Sequence, residues 1–536
     1  MTAPGPRSRK WLLISAVFLG VILLAGGLLF WRTRKMDGLI HGLIVRALSE
    51  QFKSRVELGT VHVTGFPSLG VTGEDLSIHF DDREDLPPLI HINKLSFGLG
   101  LFAVLRLPRH IATVQLDGMT ITIPPRGERR TPESDTSGKK HKLLPSIILD
   151  EVICKNAVLI TLPKNEDPKK PKKTPLEWDI HDLKLTAAGV DKPFRFNGTL
   201  TNAKPKGEVD TSGDFGPWNL DDPGGTPVSG SYKFTDADLG PFPGIAGILS
   251  STGKYTGELD ELQVEGETDT PDFSLDEIGK AVPLHTDFSA TVDGMNGNTV
   301  LHPVRATLIR STIIAEGSVI REPENKGHTI IVNFGAPDAR IQDLLSLAVK
   351  SDKPFLTGTL KIKGKLVVPA SREKALQKLI LDGEFGLDDA KWTSEEVRDK
   401  LQGLSRRAEG KPQDEGAGSA VTDLRGKFHV EKAVVNFSSL TFSIPGAAVD
   451  LAGTYKLVEG DLDFNGHLRL EAKLSQTVTG AKSFFLKAVD PFFKKEGAGA
   501  VVPISITGTR EHPTIGVTIF HKTIEKKLGQ PNSSSR

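Results

Sequence analysis

Few side chains in this sequence of 536 residues are placed to do chemistry. Cys154 is the only cysteine, so it cannot form an intramolecular disulfide. It lies in the strand-like run Ile147–Leu162, where a small buried hydrophobic residue is a more common role than a reactive thiol. The 14 histidines are scattered along the chain. We therefore expect neither a thiol nucleophile nor a histidine metal site.

Catalytic and cofactor-binding signatures are also missing from the sequence. No zinc-protease, serine-hydrolase, Walker A, paired C-x-x-C, dinucleotide-binding or EF-hand pattern occurs. Lys+Arg and Asp+Glu both number 67, so no basic excess points to a nucleic-acid partner. The sequence predicts a protein that is not an enzyme, has no cofactor or metal site, and offers a surface instead.

Alternating strands are the elements on which such a surface would be built. In Leu462–Leu470 every even position is apolar or Gly, and every odd position is polar or charged. Met119–Ile123 and Phe288–Val292 alternate in a similar way. One dry face and one wet face are typical of antiparallel sheets. The predicted fold is mainly β with a few helices (α+β): an elongated, curled antiparallel β-sheet that forms a trough.

A short pattern recurs inside the strands: an apolar residue, a small or polar residue, Gly, a polar residue and an apolar residue. Phe196–Leu200, Leu356–Leu360 and Phe464–Leu468 are examples. Because Gly inside a strand costs stability, its repeated use suggests bulges, sharp bending or close approach of neighbouring backbones. A sheet that curls along its whole length needs such positions.

An apolar segment near the N-terminus predicts a membrane anchor. Residues Trp11–Trp31 carry no charge, and at ~1.5 Å per residue they are long enough to span a ~30 Å hydrocarbon core. Trp11 and Trp31 lie where interfacial aromatic residues belong. A signal peptide is the alternative, although no good A-x-A cleavage site is present. The following segment, Asp37–Lys53, has helical apolar spacing that suits either core packing or a position on the membrane surface.

Changes of composition divide the rest of the chain. Further helices are predicted at Asp338–Val349, Ser394–Arg407 and Leu474–Lys495. The predicted segments are a stub and transmembrane anchor (1–35), an N-terminal helix with strands (36–125), a disordered linker (126–142), a central β-groove region (143–390, with a disordered loop at 163–175), a helical and Gly-rich insertion (391–420), a C-terminal β region (421–522, with the helix 474–495) and a disordered tail (523–536).

Several of these strand sequences resemble the AsmA-like family. Val56–Val63, Phe66–Val71 and Leu76–Ile78 are similar to the strands that open the family's body after a single N-terminal helix. Leu101–Arg109 followed by Ile111–Ile121 looks like the family's next two strands, and Val502–Thr509 resembles the family's C-terminal ending. The resemblance extends over most of the chain, and it rests on patterned β motifs.

The resemblance implies a bacterial cell inner membrane protein, single-pass, with its body in the periplasm. It also implies roles in outer-membrane biogenesis and a relationship to repeating β-groove, bridge-like lipid-transfer proteins. Interrupting helices and loops point to a body shorter and more segmented than the longest members of the family. The residues expected to line the apolar groove are Phe288, Val292, Leu440, Phe442, Ile444, Leu462, Phe464, Leu468 and Leu470.

Two functions follow as hypotheses. In the first, the protein handles or transports phospholipid or another acyl lipid between the inner and outer membranes. The apolar groove would shelter the acyl chains, since each buried CH₂ contributes ~0.8 kcal/mol to binding. In the second, it is a non-transport envelope scaffold or an assembly factor for outer-membrane proteins, and it binds them through exposed strand edges.

Overall fold

The computed structural model of the chain describes most of the sequence after residue 35. The described residues are 36–64, 68–80, 83, 85–100, 110–125, 148–163, 174–203, 205–242, 244–275, 280–322, 327–348, 354–371, 373–393, 395–411, 422–477, 499–510, 512–519 and 522–527. The predicted anchor with Trp11 and Trp31, the linker 126–142 and most of the helix 474–495 lie outside them. Within them, no helix combines the length and the apolar character that crossing a membrane requires.

The described chain is mainly β, with 26 strands and four α-helices. The helices are α1 (36–52), α2 (Ile341–Ala348), α3 (Ala375–Lys378) and α4 (Glu395–Ala408). The strands are β1 (Val56–Glu57), β2 (Val61–Thr64), β3 (Ser68–Ile78), β4 (Ile90–Gly100), β5 (His110–Ile123), β6 (Ile148–Thr161), β7 (Leu176–Ala188), β8 (Phe194–Ala203), β9 (Lys206–Phe215), β10 (Pro227–Asp238), β11 (Ile245–Ala246), β12 (Ile248–Glu258), β13 (Glu261–Leu275), β14 (Val282–Val292), β15 (Thr299–Leu308), β16 (Ser311–Arg321), β17 (His328–Arg340), β18 (Leu356–Val368), β19 (Ile380–Trp392), β20 (Thr422–Glu431), β21 (Val434–Ile444), β22 (Ala447–Lys456), β23 (Asp461–Leu470), β24 (Ala500–Thr509), β25 (Pro513–Ile519) and β26 (Lys522–Lys527).

All of these strands belong to one long, open, curled sheet. From β3 to β10 and from β12 to β26 each strand pairs with the next along the chain, and β10 pairs with β12. The short strands β1 and β2 both pair with β3, and β11 pairs with β13. The predicted curled sheet is therefore confirmed in its coarse form.

One strand pair departs from the predicted antiparallel arrangement. Strands β5 and β6 run parallel, with Val114 opposite Val152 and Met119 opposite Ala157. Parallel neighbours need a connection that returns the chain to the starting end of the strand. The segment 124–147 between them is long enough for this return. The prediction of a wholly antiparallel sheet was wrong at this pair, because strand alternation carries no information on strand direction.

The C-terminal boundary also differs from the prediction. Residues 523–527 were assigned to the disordered tail, but they belong to β26, which pairs antiparallel with β25. A polar composition suggested a tail, whereas the unpaired edge of β25 supplies backbone partners that are independent of side-chain polarity.

The register places most of the apolar strand side chains on one face, which we call the inner face. Val300 and Ile320 are exceptions on the other face, where they are 51% and 40% exposed. Directly opposite residues share a face, and the apolar positions meet repeatedly: Leu360 lies opposite Leu387, and Leu468 opposite Val449. Charged side chains occupy the other face. There Lys363 pairs with Glu384 at 2.8 Å, and such exposed pairs add little stability. The long apolar face is what distinguishes this sheet.

Residues with positive φ keep the inner face apolar where the alternation of the sequence changes phase. Asp75, Gly118 and Asn156 have φ of 56°, 68° and 57°, and each interrupts the strict alternation of its strand. After each of them the next apolar residue returns to the inner face, as Met119 and Ala157 do when they face each other. The neighbouring strands change phase at the same level, so their register does not shift there.

Glycines form a seam along the middle of the inner face, and we call them the glycine seam. A Cβ atom at Gly230 would lie 2.6 Å from the Ser212 carbonyl oxygen, and one at Gly364 would lie 2.6 Å from that of Asp382. Distances this short leave no room for a side chain, so neighbouring backbones bend sharply toward the inner side here. The seam consists of Gly213, Gly230, Gly253, Gly266, Gly317, Gly364, Gly383, Gly426, Gly453 and Gly466.

Helices cover the inner face near both ends of the sheet. At the N-terminal end, α1 packs on the core around Leu76, Ile92 and Met119. At the C-terminal end, α2 and α4 pack on the cluster that contains Leu387 and Leu470. The predicted helices 37–53, 338–349 and 394–407 are thus present with small shifts in their limits. Residues 474–477 form a short 3-10 turn at the start of the predicted helix 474–495.

We predict that the glycine seam is intolerant of even one methyl group. Gly364→Ala should lower the free energy of unfolding by about 1–3 kcal/mol, because its Cβ would clash with backbone and with Phe334. Gly335 on the adjacent strand is the matched control, since its Cβ would lie 3.8 Å from the nearest atom. Gly335→Ala should be neutral or stabilising by up to about 1 kcal/mol. Urea unfolding followed by circular dichroism compares the two; equal destabilisation would contradict the role given to the seam.

Candidate functional site

The N-terminal third of the inner face encloses a cavity of about 500 Å³, which we call the chamber. This volume lies within the range of roughly 300–1,000 Å³ that is usual for ligand sites. Its walls come from α1 and from strands β3 to β10, β12 and β13, so residues distant in sequence meet there. Representative wall residues are Ile92, Leu116, Leu183, Phe196 and Leu200.

Helix α1 forms one wall of the chamber and is held by both apolar and polar contacts. Ile40 is only 2% exposed and packs on Val61 and Val71. The carboxylate of Asp37 accepts a hydrogen bond from the Val63 backbone N–H at 2.9 Å. Further along the helix, His41 Nε2 donates to the Leu58 carbonyl at 2.9 Å. Of the two alternatives left open for this segment, the structure shows core packing.

Among the described residues, none that lines the chamber has a charged side chain. The lining residues with polar side-chain atoms are Gln51, Thr211, Trp218 and Tyr255. Thr211 and Tyr255 are hydrogen-bonded to each other at 2.7 Å, which satisfies both hydroxyls. The buried Nε1 of Trp218 has no hydrogen-bond partner among the described residues. A wall of this kind suits an aliphatic chain, because an ionised group inside it would lose its hydration without gaining a counter-charge.

The apolar character of the inner face changes at the middle of the sheet. Beyond the chamber, Tyr232 is hydrogen-bonded to Ser251 at 3.1 Å. On the next strands, Thr268 and Thr286 are hydrogen-bonded to each other at 2.6 Å. These hydroxyl groups lie on the same face as the apolar wall, since Tyr232 and Thr268 continue its register. Between the chamber and the C-terminal part of the sheet, the inner face therefore carries a row of hydroxyl groups beside apolar side chains such as Val264 and Ala290.

The groove residues predicted from the sequence all lie on the inner face, but none lines the chamber. Val292 comes nearest, directly opposite the wall residue Leu262, and Phe288 lies opposite Gly266. The others belong to the C-terminal stretch. Phe464 is 6% exposed, and Ile444 and Leu470 are also buried, each within a hydrophobic cluster of the protein's own side chains. Leu440, Phe442, Leu462 and Leu468 are half-buried on the same clusters.

Sequence reasoning missed the chamber residues themselves. Strand β7 carries a clear signal, since Ile180, Leu183 and Leu185 face inward and charged residues stand between them. The alternation identifies the face of each strand, but an unfilled volume depends on which helix packs where. Helices α2 and α4 pack on the cluster that contains Leu387 and Leu470, whereas a cavity remains beneath α1.

Groups of titratable residues lie away from the chamber. Within the part of the chain that the structure describes, one group of side chains lies close enough together to hold a metal ion. It consists of Glu267, His285 and Asp287 on the outer face. Asp269, hydrogen-bonded to His285, raises the pKa of this imidazole. Cross-strand charge pairs of this kind are ordinary on a solvated sheet face.

Comparison with protein families, curated proteins and solved structures finds no match for the chain. The AsmA-like resemblance stays a prediction. The site is therefore interpreted from its own geometry and chemistry.

We predict that Cys154 is protected from thiol reagents while the protein is folded. The thiol is 0% exposed beneath α1, and burial raises its pKa from 9.0 to about 11. Maleimide modification at pH 7.5, followed by mass spectrometry, should be far slower in native protein than in urea-unfolded protein, because the reagent needs an accessible thiolate. Fast native labelling would show that α1 does not stay closed over this part of the face.

The same thiol should contribute to the pH dependence of stability. Since its pKa is higher in the folded state, the contribution is complete below pH 9 and is lost as the pH rises from 9 toward 11. We expect Cys154→Ser to flatten the decrease in the free energy of unfolding over this interval. A wild-type slope retained in the variant would assign the pH dependence to other groups.

Proposed function

We propose that this protein binds the acyl chains of phospholipid or another acyl lipid in its apolar groove, and that it handles or transports such lipid between the inner and outer membranes. The uncharged, unfilled chamber is the observation that carries the proposal. Burial of methylene groups at ~0.8 kcal/mol each supplies binding energy without any specific recognition of the head group. The described lining of the chamber is almost entirely apolar, which suits binding of an aliphatic chain.

The open face explains how a lipid would be accommodated. Inner-face side chains of the central strands are half-buried and alternate with exposed ones, as in β9 and β13. A chain lying along such a face keeps its tail on the apolar side while the head group stays in water. The membrane anchor predicted at Trp11–Trp31 would hold the chamber end of the sheet near one bilayer, because α1 follows it directly in sequence.

A charge inside the chamber should abolish lipid binding. Phe196 is a half-buried wall residue outside the packed clusters, so Phe196→Glu should leave the fold intact. We expect lipid occupancy to fall roughly 10- to 100-fold, the equivalent of losing a buried Phe. Asn197→Glu is the matched control, since it places the same carboxylate at the next position on the outer face. Lipid extraction and mass spectrometry of the purified full chain give the readout; equal occupancy in both variants would refute chamber binding.

Photo-crosslinking in intact cells tests transport along the whole groove. A crosslinking residue at Phe196 or Phe464 faces inward, whereas one at Asn197 or Asn465 faces outward on the same strand. We expect lipid adducts at Phe196 and at neither outward position, because Phe464 is packed among the protein's own side chains. Adducts at Phe464 as well would show that lipid also enters the C-terminal part of the groove. Protein adducts at the outward positions without lipid at the inward ones would favour the scaffold or assembly role.

A further inference from the structure

Two tyrosines lie across the glycine seam where the chamber ends. Strands β10 and β12 both carry the sequence Gly-x-Tyr: Gly230 and Tyr232 on the first, Gly253 and Tyr255 on the second. The strands are antiparallel, so each tyrosine faces the glycine of the other strand. The chain has only 3 tyrosines in all, and two of them meet at this position. The pair therefore marks a distinct place on the inner face.

The phenol rings occupy the space that the glycines leave open. A Cβ at Gly230 would lie 2.7 Å from the Tyr255 hydroxyl, and one at Gly253 would lie 2.7 Å from the Tyr232 ring. Tyr255 reaches over β10 to Thr211 on β9, and Tyr232 reaches over β12 to within 2.9 Å of the Cβ position of Gly266 on β13. Together the two rings lie over the inner face from β9 to β13.

The hydroxyl groups of the pair are engaged and stay protonated. Tyr255 is hydrogen-bonded to Thr211 at 2.7 Å and Tyr232 to Ser251 at 3.1 Å. Burial raises the pKa of both phenols. The hydroxyl end of each ring is thus held to the inner face by a hydrogen bond.

The chamber stops at this pair. Its wall includes Tyr255, Leu259 and Leu262 but neither Tyr232 nor Ser251. Past the rings the inner face presents the hydroxyls of Thr268 and Thr286. In the row of Tyr255 itself, Val264 on β13 and Ala290 on β14 follow. An aliphatic chain that grows from α1 toward β13 therefore meets the Tyr255 ring where the chamber wall ends.

We propose that Tyr255, supported by Tyr232, is the stop that sets the length of aliphatic chain accepted by the chamber. This inference rests on the proposed function, since it assigns a specificity residue to the same groove. The chemical class of the ligand is a saturated or weakly unsaturated acyl chain. Removing the Tyr255 ring uncovers Gly230 and connects the chamber to the inner face beyond β12.

The test measures affinity against chain length. Full-length protein in nanodiscs is loaded with a fluorescent fatty acid, which unlabelled saturated fatty acids of increasing length then displace. For wild type we expect affinity to rise about fourfold per added methylene, which corresponds to ~0.8 kcal/mol, and then to level off at a fixed length. In Tyr255→Leu the plateau should move to longer chains. Tyr255→Phe keeps the ring without the hydroxyl, and its plateau should stay at the wild-type length.

The outcomes separate the stop from the chamber itself. If fatty acids of no chain length displace the probe from wild type, the proposal that the groove binds lipid is refuted. If chains bind but the plateau is the same in wild type and Tyr255→Leu, the stop is refuted while binding stands. Should Tyr255→Leu fail to fold by circular dichroism, Leu200→Phe provides the second test, because Leu200 also lines the chamber and a larger side chain there reduces the chamber volume. Its plateau should move to shorter chains; an unchanged plateau would overturn the proposal.

Discussion

The unbroken ladder of backbone pairing from β3 to β26 is the constraint on which the rest of the structure depends. Each inner strand uses its N–H and C=O groups on two neighbours, so the sheet cannot change register locally without losing hydrogen bonds on both sides. Because side chains alternate with period two, the register also determines which residues face inward. The apolar inner face follows from this ladder, and the positive φ of Asp75, Gly118 and Asn156 preserves it where the sequence changes phase.

Curvature comes from the glycine seam and gives the apolar face its depth. Where two seam glycines face each other, as Gly253 and Gly266 do, the backbones approach too closely for any side chain. The cost of glycine in a strand is thereby offset by a bend that lets residues on both sides of the seam contact each other. Aromatic rings use the same space: Phe334 lies over Gly364 and Phe428 over Gly383, as Tyr255 lies over Gly230. The seam both bends the sheet and accepts rings.

The two ends of the apolar face differ in how completely they are covered by other parts of the protein, and this difference bears on function. At the C-terminal end, α2, α4 and inward side chains form a packed core, in which Phe464 and Leu470 are buried. At the N-terminal end, α1 covers a face that still encloses about 500 Å³. A face that is filled by its own residues stabilises the fold, whereas a face with free volume is available to a ligand. The lipid-binding proposal accordingly centres on the N-terminal end.

Much of the architecture is readable from the sequence. Alternation in segments such as Leu462–Leu470 predicted strands and the inward side of each one. The recurrent Gly pattern predicted bending, and helical spacing predicted α1, α2 and α4 to within a few residues. These features are local, because a period of two or 3.6 residues is a property of neighbouring positions. The absence of catalytic patterns, and the apolar segment Trp11–Trp31, are likewise properties of the sequence alone.

Only the tertiary structure decided where the apolar face is filled and where it is open. The groove residues predicted from the strongest alternation, such as Phe464, lie in the packed C-terminal stretch, while the chamber is built from β3 to β13 and α1. The parallel pairing of β5 with β6, the strand β26 and the meeting of Tyr232 with Gly253 were equally out of reach. Each depends on contacts between residues far apart in the chain, and no local pattern specifies which strands or helices will be neighbours.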